Sequence, residues 1–459
     1  MRRKPVMTLP PPRGRKRVPG STARAAALAA CLAGAPAAAD TVLVSVALDP
    51  ADGGNDHVLP TPSLSADGRF IAFTSWASNL TDPMPNPNDN QPDVYVRDLL
   101  LGTTVRVSDP ADGGDYANAR STSPSISANG RIVAFVSHAS DLIPDDPPGF
   151  GSDIYVRDLD AGVIERITLA LDGTSAPDGA SSSPDLSADG SMIAFHSAAS
   201  DLAAGDAQDN HDDIFVHDRA TGTTTKLTPN ADFFSHAPAI SADGEHVAFH
   251  SRATNLVAGD VNGRDDVFVR HLASATTELV SVADDGGSSD GHSDSAAISA
   301  SGRYVVFTSS ASDLVADDGN AFTDVFVRDL ETGTTTLVSR GHDGAPADEH
   351  SYNPCISDDG SIIAFHSDAS NLAVDDANGS GRDVFVHDVA SGVTWRANRA
   401  LDGGNGDGIA ENCGLSGDGR RLAFESTSAD LVESDPNGAV SDIFRTDVAG
   451  DRIFADDFD

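Results

Sequence analysis

The phrase "SADGRFIAFTS" at residues 65–75 returns six times, as "SANGRIVAFVS", "SADGSMIAFHS", "SADGEHVAFHS", "SASGRYVVFTS", "SDDGSIIAFHS" and "SGDGRRLAFES". Its glycines fall at Gly68, Gly130, Gly190, Gly244, Gly302, Gly360 and Gly419, spaced by 62, 60, 54, 58, 58 and 59 residues. Self-similarity at one period is the mark of a repeat architecture, in which a single unit cannot bury its own faces and must stack on its neighbours. Seven such units account for residues 40–459, with a short tail at 451–459, so a single domain is expected.

Each unit reads as four short strands. The first is of the "PSLS" type (residues 62–65) and ends in a Ser-x-Asp-Gly turn, where glycine takes the positive φ of a tight hairpin. The second is "RFIAFTS". The third begins with Asp, as in "DVYVRD" at Asp93, and recurs down to "DIFRTD" at Asp442. The fourth follows a Thr-Gly or Ser-Gly turn, as in "TGTTTLVS" at residues 332–339.

In the second strand Ile71, Ala72 and Phe73 are consecutive and apolar, so both faces of that strand must be covered. Radial stacking of four-stranded sheets supplies the cover. The Phe of the second strand and the aromatic of the third take 12 of the chain's 19 Phe as inter-blade packing. The expected fold is all-β, a seven-bladed propeller of four-stranded antiparallel blades. "TVLVSVALDPADGG" from Thr41 matches a fourth strand and its loop, which predicts that residues 41–46 close the last blade; "DRIFADDFD" at 451–459 is the other candidate for that strand.

These repeats resemble the TolB-type branch of the WD-like propellers, whose units carry a P-x-x-S-x-D-G phrase, an I-A-F strand and a D-I-Y strand. The resemblance covers essentially all of residues 40–459. It implies the propeller alone: the N-terminal α/β domain through which TolB works in envelope transport, and the α/β-hydrolase domain appended to propeller peptidases, have no counterpart in the repeats.

Residues 1–39 carry eight basic and no acidic side chains, an alanine-rich stretch and Ala37-Ala38-Ala39 before Asp40, the pattern of a cleaved signal peptide. The "LAAC" at residues 28–31 offers a lipid anchor on Cys31 as the competing reading. An exported, periplasmic or extracellular protein follows, with no membrane span. Without the leader, 22 basic residues face 70 acidic ones. Nucleic acid and anionic lipid are therefore poor partners, whereas cations, basic proteins and neutral glycans suit the field.

The loops between second and third strands are acidic. Asp260, Asn262 and Asp266 share a spacing with Asp318, Asn320 and Asp324; Asp376, Asn378, Asp383 and Asp435, Asn437, Asp442 lengthen it by one. Oxygen ligands so spaced resemble the start of a calcium loop, set against Asx turns that cap the third strand. Histidines at His196, His250, His366, His217 and His387 fall one per blade at equivalent places and read as inter-blade hydrogen-bonding groups. "GSSDG" at residues 287–291 fits G-x-S-x-G but lies in a loop, without the strand and helix a nucleophile elbow needs. The Ser-x-Asp-Gly turns lack the Trp of a sialidase Asp-box. Cys355 and Cys413, on first strands of adjacent blades, are candidates for an inter-blade disulfide in an oxidising compartment.

In a propeller the loops joining strands two to three and four to one emerge on one face. They are long here, as at residues 82–92, 145–152 and 288–295, so the functional face is expected there. The expectation is a monomeric, non-catalytic propeller binding a protein or glycan partner on that face. The alternatives are a calcium-stabilised envelope component and a hydrolase or lyase at the channel mouth.

Overall fold

The structure, a computed structural model, describes residues 41–48, 54–81, 91–113, 116–144, 146, 151–204, 211–374, 376, 379 and 381–448. The leader with Cys31, Asp40, Asn378, the 451–459 tail and most of the 82–92 and 145–152 loops lie outside the described residues.

Seven four-stranded antiparallel sheets follow one another along the chain. In the first blade the inner strand is Val58–Leu64, followed by Phe70–Ser75, Asp93–Asp98 and the outer Thr103–Arg106. The second strand of every blade is buried in its middle because each sheet is sandwiched by two neighbours; Ile71, Ala72 and Phe73 are all 0% exposed. Phe73 faces Tyr95 across the sheet with ring centroids 5.8 Å apart, and the other six blades repeat the stacked pair, to Phe424 and Phe444 at 6.1 Å.

The seventh blade comprises Ala410–Leu415, Arg421–Ser426 and Asp442–Asp447, and its outer strand is Val42–Leu43 from the other end of the chain. Val42 pairs with Arg445 and Leu43 with Phe444. Ser45 Oγ then donates to Asp442 Oδ1 at 2.5 Å and accepts the Ile443 N–H at 3.0 Å, anchoring the closure.

Ring closure is also written in the Ser-x-Asp-Gly turns. The backbone N–H of Ala66 donates to the Ala128 carbonyl, Ala128 to Ala188 and Ala188 to Ala242, and the series runs on through Ala300 and Asp358 to Gly417, whose neighbour Asp418 donates back to Ala66. Seven backbone hydrogen bonds thus circle the short-turn mouth. The turn glycines also pack between blades: a Cβ on Gly130, at φ 72°, would lie 2.2 Å from the Phe70 ring of the preceding blade. Among the described residues no helix is long and apolar enough to cross a membrane.

Candidate functional site at the long-loop mouth

Each inner strand carries a bulge, with one extra residue in blades 2–7 and two in blade 1, and one bulge residue sits at positive φ without being glycine: Thr61, Ser123, Ser183, Ala237, Ser295, Asn353 and Asn412, at φ 45–77°. Of these, Thr61, Ser123, Ser183 and Ala237 line a channel cavity of about 460 Å³ with Pro62, Pro124, Pro184 and Pro238. The one carboxylate in that lining is Asp185, which accepts from Ser125 Oγ at 3.0 Å and the Ile240 N–H at 2.8 Å. Burial pushes its carboxyl up.

One step toward the long loops, the repeat breaks. The inner-strand position beside the bulge is Leu59, Thr122 and Ser182 in the first three blades, then His236, Asp294, Tyr352 and Glu411. Facing these on the second strands are Thr74, Val136, His196, His250, Thr308, His366 and Glu425. Small or apolar groups occupy blades 1 and 2, and titratable groups dominate the rest.

Where blades 3 and 4 meet, the His196 ring stands edge-on to His236 with centroids 5.2 Å apart, and His250 lies 5.8 Å beyond. Phe234 stacks on His236 at 5.8 Å, and His236 Nδ1 is 3.4 Å from Asp212 Oδ2. The Nδ1 atoms of His196 and His250 are buried without a hydrogen bond. Burial, with His236 and His250 adding repulsion, pushes the His196 imidazole down to about 4, and burial lowers His250 as well. Both rings are therefore neutral at pH 7 and have a lone pair to offer. His196, Asp212 and His236 bring one ligand atom each within 4.8 Å of one another, a donor set that fits a divalent metal. A second such group, Asp243, Glu245 and His246, sits on the opposite face in a Ser-x-Asp-Gly turn.

Across blades 6 and 7, Arg382 is clamped by Asp368 at 2.9 and 3.2 Å and by Glu411 at 2.7 Å, with its guanidinium 5.7 Å from the Tyr352 ring centroid. Tyr352 lies 5.6 Å from His366, whose Nδ1 accepts the Asn412 N–H of the next blade at 3.2 Å. Burial, then Arg382, pushes His366 down to about 4, while burial raises Glu425, which accepts from Ser441 Oγ at 2.5 Å.

The expectation that the histidines are dispersed, one per blade, is therefore corrected for His196 and His250. His236, which sits on the inner strand of blade 4, lies between the equivalent positions His196 and His250 of adjacent blades and contacts both rings. His217 and His387 also depart from the inter-blade expectation, since each bonds a threonine on the outer strand of its own blade (Thr224 and Thr394) at 2.9 Å. Asp212, His236, Tyr352, Arg382 and Glu411 were not singled out from sequence. The signal is visible only when inner strands are aligned at the bulge.

The predicted calcium loops divide differently. The first Asp of each third strand accepts a hydroxyl or amide from the outer-strand end: Asp266 from Ser281 at 2.6 Å, Asp324 from Ser339 at 2.6 Å, Asp383 from Asn398 at 2.6 Å. Asn262 Nδ2 donates to Asp266 Oδ2 at 2.7 Å and its oxygen accepts the Arg264 N–H; Asn320 does the same with Asp324 and Phe322. The asparagines thus cap the strand and direct a nitrogen at the carboxylate. Asp260 and Asp318 are buried beside them. Ser289 of "GSSDG" is buried with its hydroxyl on Asp266, not poised as a nucleophile. The Cys355 and Cys413 sulfurs stand 2.7 Å apart.

No family model and no characterised protein matches the sequence significantly. Solved structures do match. An oligogalacturonate lyase from Vibrio parahaemolyticus aligns over 90% of this chain and 99% of its own at TM-score 0.54 and 13% identity. An oligogalacturonate lyase in complex with manganese aligns over 89% and 96% at 0.51 and 12%. A prolyl endopeptidase aligns over 85% of this chain and 50% of its own at 0.51 and 14%. At these identities the likeness shows the fold alone. The propeller implied by the TolB-type phrases is the observed fold, and it rests on the seven sheets themselves.

The expectation of a non-catalytic binding propeller, and of no enzyme, is overturned. A propeller without an appended domain is not thereby a scaffold, since the lyase that aligns over 99% of its own chain is an enzyme. The residues that break the repeat are dispersed in sequence from 196 to 425 and share one level of the ring only once folded.

Proposed function

We propose that the chain is a hydrolase or lyase acting on a glycan, with its site at the long-loop mouth where blades 3 and 4 meet. The observation that carries this reading is the convergence of His196, His236 and His250 beside Asp212 in a frame that otherwise repeats. Either reaction breaks a glycosidic C–O bond by moving protons. A base takes one from water or from a carbon beside a carboxyl, and an acid gives one to the leaving oxygen. His250, neutral at pH 7, and His196, where it holds no metal, offer a lone pair to take such a proton; Asp212 lies against His236 Nδ1 and orients its ring.

Phe234 and Tyr352 offer ring faces on which sugars stack. The formal charge of −40, and Asp212, Asp265, Asp294, Asp368 and Glu411 around the mouth, favour a neutral or cationic glycan, and with it hydrolysis over elimination, which needs a uronate carboxyl. A divalent metal held by His196, Asp212 and His236 would polarise a substrate oxygen or acidify a bound water. Export to the periplasm or beyond is part of the proposal, on the strength of the 1–39 leader.

The test is a panel of neutral, cationic and uronate-bearing oligosaccharides together with peptides, with and without Mn²⁺ or Zn²⁺. New reducing ends alone mark hydrolysis, a conjugated double bond marks elimination, and cleaved peptides would move the proposal to a peptidase. Turnover on a glycan that His196→Ala lowers by about 10²–10⁴ supports the reading. No turnover on any member of the panel refutes it.

A further inference from the structure

In every blade the last residue of the outer strand pairs with the aromatic of the third. Four blades place a cation there: Arg106, Arg166, Lys226 and Arg396. In blades 4 and 5 the same position is Leu279 and Leu337. Blade 2 shows what the cation does. Arg166 Nη1 is 2.8 Å from Asp146 and Nη2 is 2.8 Å from Asp153, with all three side chains at most 8% exposed. In blade 3, Lys226 Nζ lies 2.5 Å from Asp213; in blade 6, Arg396 Nη1 lies 3.7 Å from Asp376, both fully enclosed.

Blade 4 keeps both acids and lacks the base. Asp260 follows Ser251 by nine residues as Asp146 follows Ser137, and Asp266 opens the third strand as Asp153 does. Asp266 is satisfied by Ser281, Ser289 and Asn262. Asp260 is 3% exposed, and neither of its carboxylate oxygens has a hydrogen bond of ordinary geometry. A buried carboxylate without counter-charge is costly, and burial leaves no water to offset it.

We propose that blade 4 binds a calcium ion between Asp260 and Asp266, in the place that the Arg166 guanidinium fills in blade 2. The all-oxygen donors and the irregular loop suit calcium, whereas magnesium demands octahedral regularity. Asn262 supports the site without being a ligand, since its oxygen holds the Arg264 N–H. Blade 5 repeats the arrangement with Asp318 and Asp324, and there Arg340, paired with Asp317, lies close enough to weaken the demand. This inference is independent of the enzymatic reading.

The test strips the full-length protein with EGTA and titrates Ca²⁺ or Mg²⁺ at pH 7.5, by calorimetry and thermal melting. Calcium is expected to bind and raise Tm more than magnesium at equal ionic strength. Asp260→Asn should lower the calcium stoichiometry by one. Leu279→Arg, which supplies the cation from the chain, should remove the same site while melting no lower than calcium-free wild type. Equal responses to the two ions, no calcium uptake, or unchanged stoichiometry in Asp260→Asn would overturn the proposal. Should Leu279→Arg fail to fold, the Asp260→Asn stoichiometry decides.

Discussion

Arg166→Leu gives blade 2 the side chain that blade 4 has naturally, and its cost can be bounded. The guanidinium bridges two enclosed carboxylates, Asp146 and Asp153, at 2.8 Å each, and its Nε donates to the Thr168 carbonyl at 3.0 Å. Removing one partner of a buried ion pair costs about 3–5 kcal/mol. The two acids can escape by taking up one proton. At pH 7.5, protonating a carboxyl of ordinary pKa near 3.9 costs about 5 kcal/mol, and at pH 5 about 1.5 kcal/mol. The loss should therefore be about 3–5 kcal/mol at pH 7.5 and about 1.5 at pH 5. The sign is that of a carboxyl raised in the folded state, whose destabilisation fades as pH falls. With about 2.1 cal/mol/K of unfolding entropy per residue over roughly 400 residues, the pH 7.5 loss is a Tm drop of about 4–6 °C. Melts of wild type and variant across pH 5–8 in EGTA measure it. A drop below 1 °C at pH 7.5, or one that does not shrink toward pH 5, would refute the reasoning.

Phe249→Ala removes one of the stacked pairs, both rings of which are 0% exposed. It should cost about 3–5 kcal/mol, read as a lower denaturant midpoint with unchanged m-value. In oxidant Cys355 and Cys413 should form a bond, stabilising by about 2–4 kcal/mol; two reactive thiols in the denatured, unreduced protein would mean that no bond forms. Burial pushes Asp93 and Asp442 up to about 6. They bind protons more readily folded than unfolded, so they gain stability as pH falls through 6, whereas His196 and His366, held down to about 4 by burial, lose it as the unfolded chain protonates from about 6.5 downward. Replacing both histidines by Gln removes that loss, so in EGTA the Tm change from pH 8 to 6 should be more positive in the variant than in wild type. The same pH dependence in both proteins would contradict the assignment.

The frame was legible because its chemistry is local and repeated. Ser65, Asp67 and Gly68 make a turn whatever surrounds them, and Ile71-Ala72-Phe73 demands cover on both faces. The closing strand was legible as one of two candidates, residues 41–46 matching an outer strand and the 451–459 tail being the other, and the pairing of Val42 and Leu43 decides between them. The site was not legible for the opposite reason. His196 and His236 are 40 residues apart on different strands of different blades, and only the inter-blade packing brings their rings to 5.2 Å. The exchange of Arg166 for Leu279 was likewise invisible, because outer strands are compared correctly only once the register against Tyr155 and Phe268 is known. For Asn262 and Asn320 the spacing shows which side chains meet but not which atom faces the acid, because hydrogen bonds to the following loop fix the orientation of the amide.

The account's central claim is that chemistry takes place at the long-loop mouth beside His236. The most direct measurement is kcat/KM for the best glycan of the panel in three proteins: wild type, His236→Ala, and Thr122→Val at the equivalent position of blade 2. The account predicts a loss of at least about 10²-fold in His236→Ala, with Tm near that of wild type and Thr122→Val unchanged. Equal turnover in His236→Ala and wild type would contradict it.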